Sequence, residues 1–437
     1  MSPRYGGGFL FGVCPTPAIF VGFTGIAPIG IEYSSMKILH TSDWHLGQRL
    51  LFNEREQEHQ RALDWLAETI RSEEVDALIV AGDIFDINNP PNYARTMYYR
   101  FLTSLLGTNC RHIVITGGNH DSPSMLNAPR ELLRLLNIYV VGAASEAIAD
   151  EIIELKDAEG NPELVVAAVP FLRDRDLRFS QAGEGSYERL QKVRQGMAEH
   201  YRQIGELMEP YREAKIPLIA TGHLYANGAK ASDKQDNIYA GDVENIDAEQ
   251  FPAIFHYIAL GHIHRPQTVG GQEHIRYSGS LLPLSFSETK DDKSVYLLHF
   301  QRDQLLQIET LAVPVFRRLK SITGDLQAVK ESLRRFDQKG GRDLTPWVEV
   351  VVETDRLIPR LDLQLRDFTR DMNLQLLKIR IERRGELLRK SSAEAVNLND
   401  LEDVESVFRK KCMRFGSPPE QMEELLKSFK ELRESMD

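Results

Sequence analysis

Cysteine is scarce in this chain, and its few occurrences suggest no covalent or metal framework. Cys14, Cys110 and Cys412 are the three cysteines among 437 residues, and their wide spacing fits neither a set of disulfides nor a zinc site. This pattern predicts a reducing, cytoplasmic compartment. The chain also lacks a Gly-Lys dipeptide, which excludes a P-loop. Any dependence on ATP must therefore come from a partner.

Unbroken apolar runs are also missing. The stretch before Met36 is apolar, but residues such as Pro17, Gly22 and Pro28 interrupt it short of the roughly 20 apolar residues that a membrane-spanning helix needs. Nor does it combine the basic start, continuous apolar core and cleavage site of a signal peptide. The first well-patterned segment begins at Met36. We therefore predict that residues 1–35 are a non-native upstream extension, disordered or poorly packed, and that no part of the chain contacts a membrane.

The chain has no excess of positive charge. Its 53 Lys and Arg residues against 64 Asp and Glu residues give a formal net charge of −11 at pH 7. Affinity for DNA usually comes from neutralising phosphates, so a DNA-binding role would require local basic clusters, metal ions or a partner. The remaining composition, 42% hydrophobic and 27% charged, is typical of a globular protein with two or three domains.

From Met36 onward, short apolar segments alternate with amphipathic ones, a rhythm typical of an α/β domain. The predicted strands are Lys37–Thr41, Ala77–Ala81, His112–Thr116, Leu164–Val169, Leu218–Thr221, Tyr257–Leu260, Ser294–Phe300 and Gln304–Val313. The predicted helices are Glu54–Ser72, Tyr93–Leu106, Ser124–Leu136 and Ser186–Ala214.

A second unit is predicted to start near Pro314. Its elements alternate as a strand Phe316–Ile322, a helix Asp325–Phe336, a Gly340-Gly341 turn, a strand Trp347–Glu353, a helix Ile358–Met372 and a strand Gln375–Glu382. This order predicts a small α+β domain over residues 314–390. A polar linker follows within residues 391–437, and then two short amphipathic helices, Leu401–Phe408 and Met422–Leu432.

Five predicted strand ends carry side chains that can bind metals. They are Asp43-Trp44-His45, Gly82-Asp83, Gly117-Gly118-Asn119-His120-Asp121, Gly222-His223 and Gly261-His262-Ile263-His264. Strand ends in an open α/β sheet converge on one crevice, and glycines allow the sharp turns and close backbone approach that such a site needs. In extended backbone, alternate side chains share a face. We therefore expect Asp43 and His45 to point the same way, and His262 and His264 likewise.

The side chains in these motifs offer oxygen and imidazole donors without a thiolate. Two Asp, one Asn and four His suit a divalent metal of octahedral habit, such as Mn²⁺, better than structural zinc. Two such ions about 3.5–4 Å apart can activate a bridging water and clamp the attacking and leaving oxygens of a displacement at phosphorus. Each motif alone occurs often by chance; their joint occurrence in this order predicts a dinuclear phosphoesterase site.

The motif order DxH, GD, GNHD, GH and GHxH resembles that of the calcineurin-like metallophosphoesterases, and all five motifs are intact. The surrounding sequence resembles the SbcD family of bacterial nucleases, counterparts of the double-strand-break repair nucleases of archaea and eukaryotes. The resemblance is strong from Met36 to about residue 300 and looser beyond. The matching segments include MKILHTSDWHLGQ, VDALIVAGDIFD, PPNYAR, TGGNHDS, PFLRDRD, TGHLYANGAKASD, YIALGHIHRPQ and YSGSLLPLSF.

The resemblance implies a role for each motif residue. The implied ligands are Asp43, His45 and His264 for one metal and Asn119, His223 and His262 for the other, with Asp83 as the bridge. His120 matches the histidine that engages the phosphate, and it would stabilise the pentavalent state or protonate the leaving 3′ oxygen. Some relatives carry a second histidine three residues after the bridging aspartate. This chain departs from them there, with Asp86.

The resemblance further implies the fold and the activity. Residues 36–312 would form a two-sheet α/β sandwich flanked by helices, with the site at one edge, and residues 314–390 would cap it and help to select DNA. The expected enzyme is a homodimeric nuclease that depends on Mn²⁺, with Mg²⁺ as the alternative ion. It would act as an exonuclease from duplex 3′ ends and as an endonuclease on single strands and hairpins, in repair and recombination.

Two groups of helices bear on the partners. Tyr93–Leu106 and Ser124–Leu136 could simply cover the sheet, whereas the resemblance implies a four-helix dimer interface. Leu401–Phe408 and Met422–Leu432 are too short to bury their apolar faces alone. They could dock on their own domain, whereas the resemblance implies that they bind the coiled coil of an SbcC-type ATPase.

Other polar residues admit two interpretations. The candidates for contact with DNA phosphates are Arg49, Arg173, Arg175 and Lys230, each of which could equally be a solvated surface residue. The histidines outside the motifs are expected to be ordinary core or surface residues, namely His40, His59, His112, His200, His256, His274 and His299. Trp44 is expected to serve packing.

The sequence also allows two functions other than that of a DNA nuclease. The ligand residues alone also fit a phosphoesterase of small molecules, such as phosphomonoesters or cyclic nucleotides, although the predicted cap, the C-terminal helices and the sequence between the motifs argue against it. A non-catalytic scaffold that organises an ATPase on DNA is the other rival. The complete ligand set together with His120 argues against that function.

Overall fold

Short strands alternate with helices in the computed structural model, which describes residues 35–177, 184–227, 229, 245–337, 344–356, 358–383 and 426. The strands, in chain order, are β1 Ser35–Thr41, β2 Arg49–Leu50, β3 Asn53–Glu54, β4 Ala77–Ala81, β5 His112–Thr116, β6 Ile138–Val141, β7 Ile152–Lys156, β8 Pro162–Ala167, β9 Leu218–His223, β10 Tyr225–Ala226, β11 Asn245–Ile246, β12 Tyr257–Gly261, β13 Gln267–Val269, β14 Gln272–Tyr277, β15 Ser294–Gln301, β16 Gln304–Ala312, β17 Leu319–Gly324, β18 Trp347–Glu353 and β19 Gln375–Glu382.

Two six-stranded sheets pack face to face. Their strand orders are β16-β15-β1-β4-β5-β6 and β13-β14-β12-β9-β8-β7, and the central pairs β1–β4, β4–β5 and β9–β12 are parallel. The apolar layer between the sheets includes Ile38, Ile79 and Val166, all fully buried. Because these parallel strands are buried on both faces, they are continuously apolar rather than alternating, as at ALIVA of β4.

Helices cover the outer faces of both sheets, and two further helices, α7 and α8, pack on a third sheet. The helices are α1 Glu56–Ser72, α2 Asn92–Ser104, α3 Pro123–Asn127, α4 Arg130–Arg134, α5 Asp174–Leu177, α6 Ser186–Glu213, α7 Leu326–Asp337 and α8 Leu361–Thr369. Residues of α1 to α4 contribute to the core cluster on the first sheet, and α6 contributes to the cluster on the second. The predicted mixed α/β fold with two sheets flanked by helices is confirmed.

One predicted helix is wrong. The stretch Ser124–Leu136 contains two short helices, α3 and α4, separated at Pro129. Proline has no backbone N–H to continue the hydrogen-bond ladder, and its ring clashes with the preceding turn. The predicted strands also do not include the edge strands β6 and β7, which pair with β5 and β8 respectively.

A third, smaller sheet follows in the order β17-β18-β19, with all strands parallel. Helices α7 and α8 pack on one face of it, and Val348, Val350 and Leu365 are fully buried there. This α+β arrangement matches the element order expected for residues 314–390, although the domain boundaries stay a prediction. The Gly340-Gly341 turn and the helices Leu401–Phe408 and Met422–Leu432 lie outside the described residues, apart from Leu426.

The third sheet touches the two-sheet body close to the first metal-binding motif. Trp347 of β18 packs with Leu50 of β2 and with Phe286 in a separate small cluster. Arg317 stacks over the Trp347 ring at 4.0 Å and donates a 2.9 Å hydrogen bond to buried Glu58 of α1. Among the described residues, no helix is long and apolar enough to cross a bilayer.

Candidate metal centre

The candidate site lies between the two sheets, at the carboxyl ends of their central strands. The loop after β1 pairs with the loop after β4, since the Asp43 N–H donates to the Gly82 carbonyl at 3.0 Å and the His45 N–H to the Asp83 carbonyl at 3.0 Å. The second sheet joins them through His223, whose Nδ1–H donates to the Ala81 carbonyl at 3.0 Å. Three of the five motifs therefore meet in one place.

The local backbone differs from the expected extended form. Asp43, His45 and Asp83 have φ values of 52°, 46° and 51°, and His262 has φ 97°. Non-glycine residues rarely adopt positive φ, and such strain is found mainly where the surrounding structure enforces it at a functional site. Asp43 and His45 do face the same site, as predicted, since their ligand atoms lie within 4.8 Å of each other. The extended backbone assumed for them is wrong, because β1 ends at Thr41 and both residues have left-handed conformations.

At two positions a glycine is required because neighbouring atoms lie very close to the backbone. A Cβ atom at Gly261 would lie 1.9 Å from the Ala81 carbonyl oxygen, where the two sheets touch. A Cβ atom at Gly118 would lie 2.1 Å from Asp83 Oδ1. Any larger residue at either position would force the strand ends apart.

The first expected ligand set is drawn from both sheets. One ligand atom from each of Asp43, His45 and His264 lies within 4.8 Å of the others. The rings of His45 and His264 meet edge to face with centroids 5.0 Å apart. The His262 N–H donates to Asp43 Oδ1 at 2.9 Å, which fixes the carboxylate in place.

The second expected set converges on an amide oxygen. Asn119 Oδ1 lies 3.0 Å from His223 Nε2 and 3.0 Å from His262 Nδ1. The rings of these two histidines meet edge to face at 5.1 Å. The amide oxygen and the two ring nitrogens therefore face the same small volume as three potential metal ligands.

Asp83 stands between the two sets. Its Oδ2 is 3.4 Å from His45 Nε2, in the first set, and 3.3 Å from His223 Nε2, in the second. Its Oδ1 accepts a 2.9 Å hydrogen bond from the His120 N–H. The residue is almost completely buried, so this carboxylate can contact groups on both sides and little else.

Asp86 supports two of these residues. Its Oδ1 is 3.1 Å from His45 Nδ1, which leaves Nε2 of that ring facing Asp83. Its backbone carbonyl accepts a 2.7 Å hydrogen bond from His120 Nδ1–H. In the sequence, Asp86 stands out only as a departure from the family pattern. Its position three residues after Asp83 was the signal that it belongs to the site.

Asp121 is a second residue whose role the sequence did not reveal. Its Oδ1 accepts from the Phe85 N–H at 2.9 Å, and its Oδ2 from Gly118 at 2.9 Å and Ile84 at 3.1 Å. Asp121 therefore connects the loop that carries Asp83 to the loop that carries Asn119. Burial raises its pKa to about 6, with the Asp83 charge acting in the same direction.

The electrostatics of the site favour a bound cation. Burial disfavours protonated His45, but the hydrogen bond to Asp86 and the nearby carboxylates outweigh it and raise its pKa to about 9. His223 is also raised to a pKa of about 9, because Asp83 outweighs its burial. Burial and the neighbouring His223 lower the pKa of His262 to about 3. Since histidine binds metal only as the neutral ring, a cation at neutral pH displaces protons from this site.

The residues present fit two divalent metal ions. His45 Nε2 is buried without a hydrogen-bond partner, a costly arrangement that a cation beside Asp83 would relieve. Four imidazoles with two carboxylates and an amide oxygen suit borderline or hard ions of octahedral habit. The centre is thus chemically suited to bind divalent cations next to a phosphate ester.

Two of the arginine candidates for DNA contact have acidic side-chain neighbours, and the third makes a backbone contact. Arg49 pairs with Glu54 at 2.7 Å, and Arg175 lies 3.6 Å from Asp176 and is largely exposed. The backbone N–H of Arg173 donates to Asp176 at 2.9 Å. Lys230 lies outside the described residues. None of these intramolecular contacts tests whether the four residues bind DNA, so that role stays a prediction.

The remaining histidines have other partners in most cases. His40 Nδ1 is 2.9 Å from the Tyr257 hydroxyl, and burial lowers the pKa of this histidine to about 3. His112 and His200 pair with Glu163 and Glu151 at 2.9 Å and 2.8 Å. Within the described ranges, the groups of side chains close enough to share a metal ion contain none of the histidines expected to be ordinary.

Two family models match the chain. One, described as calcineurin-like phosphoesterase, covers residues 36–266, the part that carries all five motifs. The other, SbcD_C, described as type 5 capsule protein repressor C-terminal domain, covers residues 315–414 and so includes the third sheet.

Individual relatives extend the match over most of the chain. The SbcD subunit of the nuclease SbcCD from Escherichia coli (strain K12) is 39% identical over 377 residues, which are 86% of this chain and 92% of the relative. The proteins of the same name from Rhodobacter capsulatus and Bacillus subtilis are 38% and 34% identical, each over 60% of this chain and 66% of the relative.

Proposed function

Since the chain belongs to the calcineurin-like phosphoesterase family and, within it, to the SbcD nuclease subunits, we propose that it cleaves DNA phosphodiester bonds with two divalent cations as part of an SbcC–SbcD-type complex. Metal-dependent nuclease activity follows from the family. Beyond the family's activity, we propose that the ion is Mn²⁺ and that the location is cytoplasmic. We also propose that the enzyme acts from duplex 3′ ends and cleaves single strands and hairpins. The observation that carries it is Asp83 Oδ2 lying between His45 and His223.

In this proposal each side chain has a defined task. Asp43, His45 and His264 would hold one cation, Asn119, His223 and His262 would hold the other, and Asp83 would contribute to both. When bound, the cations supply Lewis-acid charge that polarises the phosphodiester and lowers the pKa of water. The chain's own residues orient the phosphate between the two sheets and hold the donors in fixed positions.

His120 is placed to serve the leaving group. Its Nδ1–H is committed to the Asp86 carbonyl at 2.7 Å, which leaves Nε2 to face a substrate. The residue is exposed, whereas Asp43 and Asp83 are buried, so its ring is accessible to a phosphate ester that enters the site. It either stabilises the pentavalent state or protonates the leaving 3′ oxygen, as general-acid catalysis requires.

Replacing His120 by alanine is expected to slow DNA cleavage by about 10²-fold, at the low end for a lost general acid because the metal ligands remain. The measurement is release of labelled nucleotides from linear duplex DNA by the purified chain in Mn²⁺. His274→Ala, at a half-buried histidine outside the site, serves as the matched control and should retain wild-type activity.

The same assay separates the nuclease from a small-molecule phosphoesterase. The nuclease turns over DNA faster than a chromogenic phosphodiester, and addition of the ATPase partner should increase cleavage of duplex DNA. A chain that hydrolysed the chromogenic compound efficiently but left DNA intact, with and without the ATPase, would contradict the proposal.

We further propose that the protein is a homodimer through the surface formed by α2 to α4. Leu132 and Leu135 are 66% and 81% exposed, and Tyr99, Leu106 and Leu136 are also exposed there. Burying these large apolar side chains would favour self-association, and exposed apolar surface often marks an interaction site. The helices Leu401–Phe408 and Met422–Leu432 remain the proposed contact with the ATPase.

Leu135→Asp is expected to convert the dimer into a monomer, because a carboxylate would have to be buried without a partner. Sedimentation velocity of the purified chain measures this directly. Leu306→Asp places the same charge on β16, where Leu306 is 60% exposed, and should leave the dimer intact. A wild-type chain that sediments as a monomer would refute this interface.

A further inference from the structure

A buried ion pair lies directly behind one of the proposed metal ligands. Glu288 and Lys293 are 2% and 6% exposed, and Lys293 Nζ donates to Glu288 Oε2 at 2.8 Å. Neither residue belongs to the five motifs, and neither contributes a donor to the candidate centre. Buried ion pairs often stabilise a fold no better than apolar residues of similar volume would. The contacts that this pair makes therefore indicate whether it has a role other than stability.

The partners of this pair converge on His264. Glu288 Oε1 lies 3.4 Å from His264 Nδ1, and Lys293 Nζ donates to the His264 carbonyl oxygen at 2.7 Å. Lys293 also donates to Ser280 Oγ at 2.9 Å, and the Ser280 N–H donates to the same His264 carbonyl at 3.2 Å. Both the ring and the backbone of His264 are thus fixed from behind.

The arrangement repeats a feature of two other proposed ligands. His45 has its Nδ1 beside Asp86, and His223 has its Nδ1 bonded to the Ala81 carbonyl. In each ring this leaves Nε2 as the nitrogen that can bind a cation. An acceptor behind a ligating imidazole fixes its tautomer and orientation and makes it a better donor to the metal.

We infer that Glu288 is a positioning residue for His264, with Lys293 holding both the carboxylate and the His264 backbone in place. The inference rests on the proposed function, because it takes His264 as a metal ligand. Glu288 sets which nitrogen of His264 faces Asp43 and His45, and Lys293 offsets the buried negative charge. The first cation therefore depends on this pair, and the second, held by Asn119 and its partners, does not.

A purely structural role would be the alternative explanation for the pair. The Leu284 N–H donates to Glu288 Oε2 at 3.1 Å, and the Leu284 carbonyl accepts from Gln48 at 3.1 Å, so Glu288 also holds the segment whose Phe286 packs against the third sheet. If holding that segment were its whole task, its loss would lower stability and affect both cations alike.

Titration of the purified, metal-free chain with Mn²⁺, followed by electron paramagnetic resonance of the free ion, distinguishes the two roles without using activity. Glu288→Ala is expected to weaken one of two Mn²⁺ sites by about 10- to 100-fold and to leave the other nearly unchanged. Glu288→Gln keeps an oxygen that can accept from His264 and should restore most of the affinity. Glu309→Ala is the matched control, since Glu309 lies 3.4 Å from His299 in a pair outside the site.

Equal weakening of both sites, unchanged binding in Glu288→Ala, or a Gln variant as weak as the Ala variant would each overturn the inference. If Glu288→Ala does not fold, Glu288→Leu combined with Lys293→Met removes both charges and keeps the volume. That double variant should lose the same site, and wild-type binding in it would also overturn the inference. A wild-type chain that binds fewer than two Mn²⁺ ions would instead refute the proposed ligand set itself.

Discussion

We expect the Asp83→Ala variant to lose DNA cleavage by at least about 10³-fold, because bound cations supply several kcal/mol of transition-state stabilisation and each 1.36 kcal/mol is a factor of ten. Asp83 Oδ2 lies 3.4 Å from His45 and 3.3 Å from His223, so its removal affects both proposed cations. A water that filled the space would restore the volume but not the negative charge between the rings.

The loss should be visible before any DNA is added. Mn²⁺ titration of Asp83→Ala is expected to show both sites weakened, in contrast to the loss of one site expected for Glu288→Ala. Asp64→Ala removes an exposed carboxylate from α1 and should retain both cations and full activity. If the complex of Asp83→Ala with its ATPase processed DNA at the wild-type rate, the chain would be a scaffold and the proposed chemistry would be wrong.

The ligand residues could be predicted from the sequence because each lies at or shortly after the end of a buried strand. Asp83 follows β4, which is apolar on both faces, Asp43 follows β1, and His223 ends β9. Parallel strands bring such ends to one edge. Their local conformation could not be predicted in the same way. Positive φ at a non-glycine residue is rare, and at Asp43 and His45 it is imposed by pairing with the loop after β4.

The supporting residues could not be predicted at all from spacing. Glu288 lies 24 residues from His264 and Arg317 lies 259 residues from Glu58, and no local pattern connects such pairs. The break at Pro129 was available in the sequence, because proline disfavours a continuous helix, but the apolar periodicity across it favoured one long helix. Sequence patterns therefore revealed donors at strand ends, whereas the contacts that fix those donors depend on tertiary packing.

Glu58 is the residue whose loss should cost the fold most. Its carboxylate accepts from Arg55 at 2.7 Å and 3.2 Å and from Arg317 at 2.9 Å, and it is 1% exposed. Arg55 also donates to the Pro283 carbonyl at 2.7 Å and to Gln48 at 3.0 Å. The network connects α1, the segment before Glu288 and the start of the third sheet through charges that are shielded from water.

Glu58→Ala should therefore lower the free energy of unfolding by about 3–5 kcal/mol, since it leaves the Arg55 guanidinium buried without a carboxylate. That is a large part of the 5–15 kcal/mol by which a typical domain is stable. Arg317→Ala should cost less, about 1.5–3 kcal/mol, because Arg55 still pairs with Glu58. Chemical denaturation measures both changes, with Arg370→Ala as the control, whose exposed pair with Asp367 should contribute nothing measurable. A Glu58→Ala variant within about 1 kcal/mol of the wild type would show that this network does not hold the third sheet to the two-sheet body.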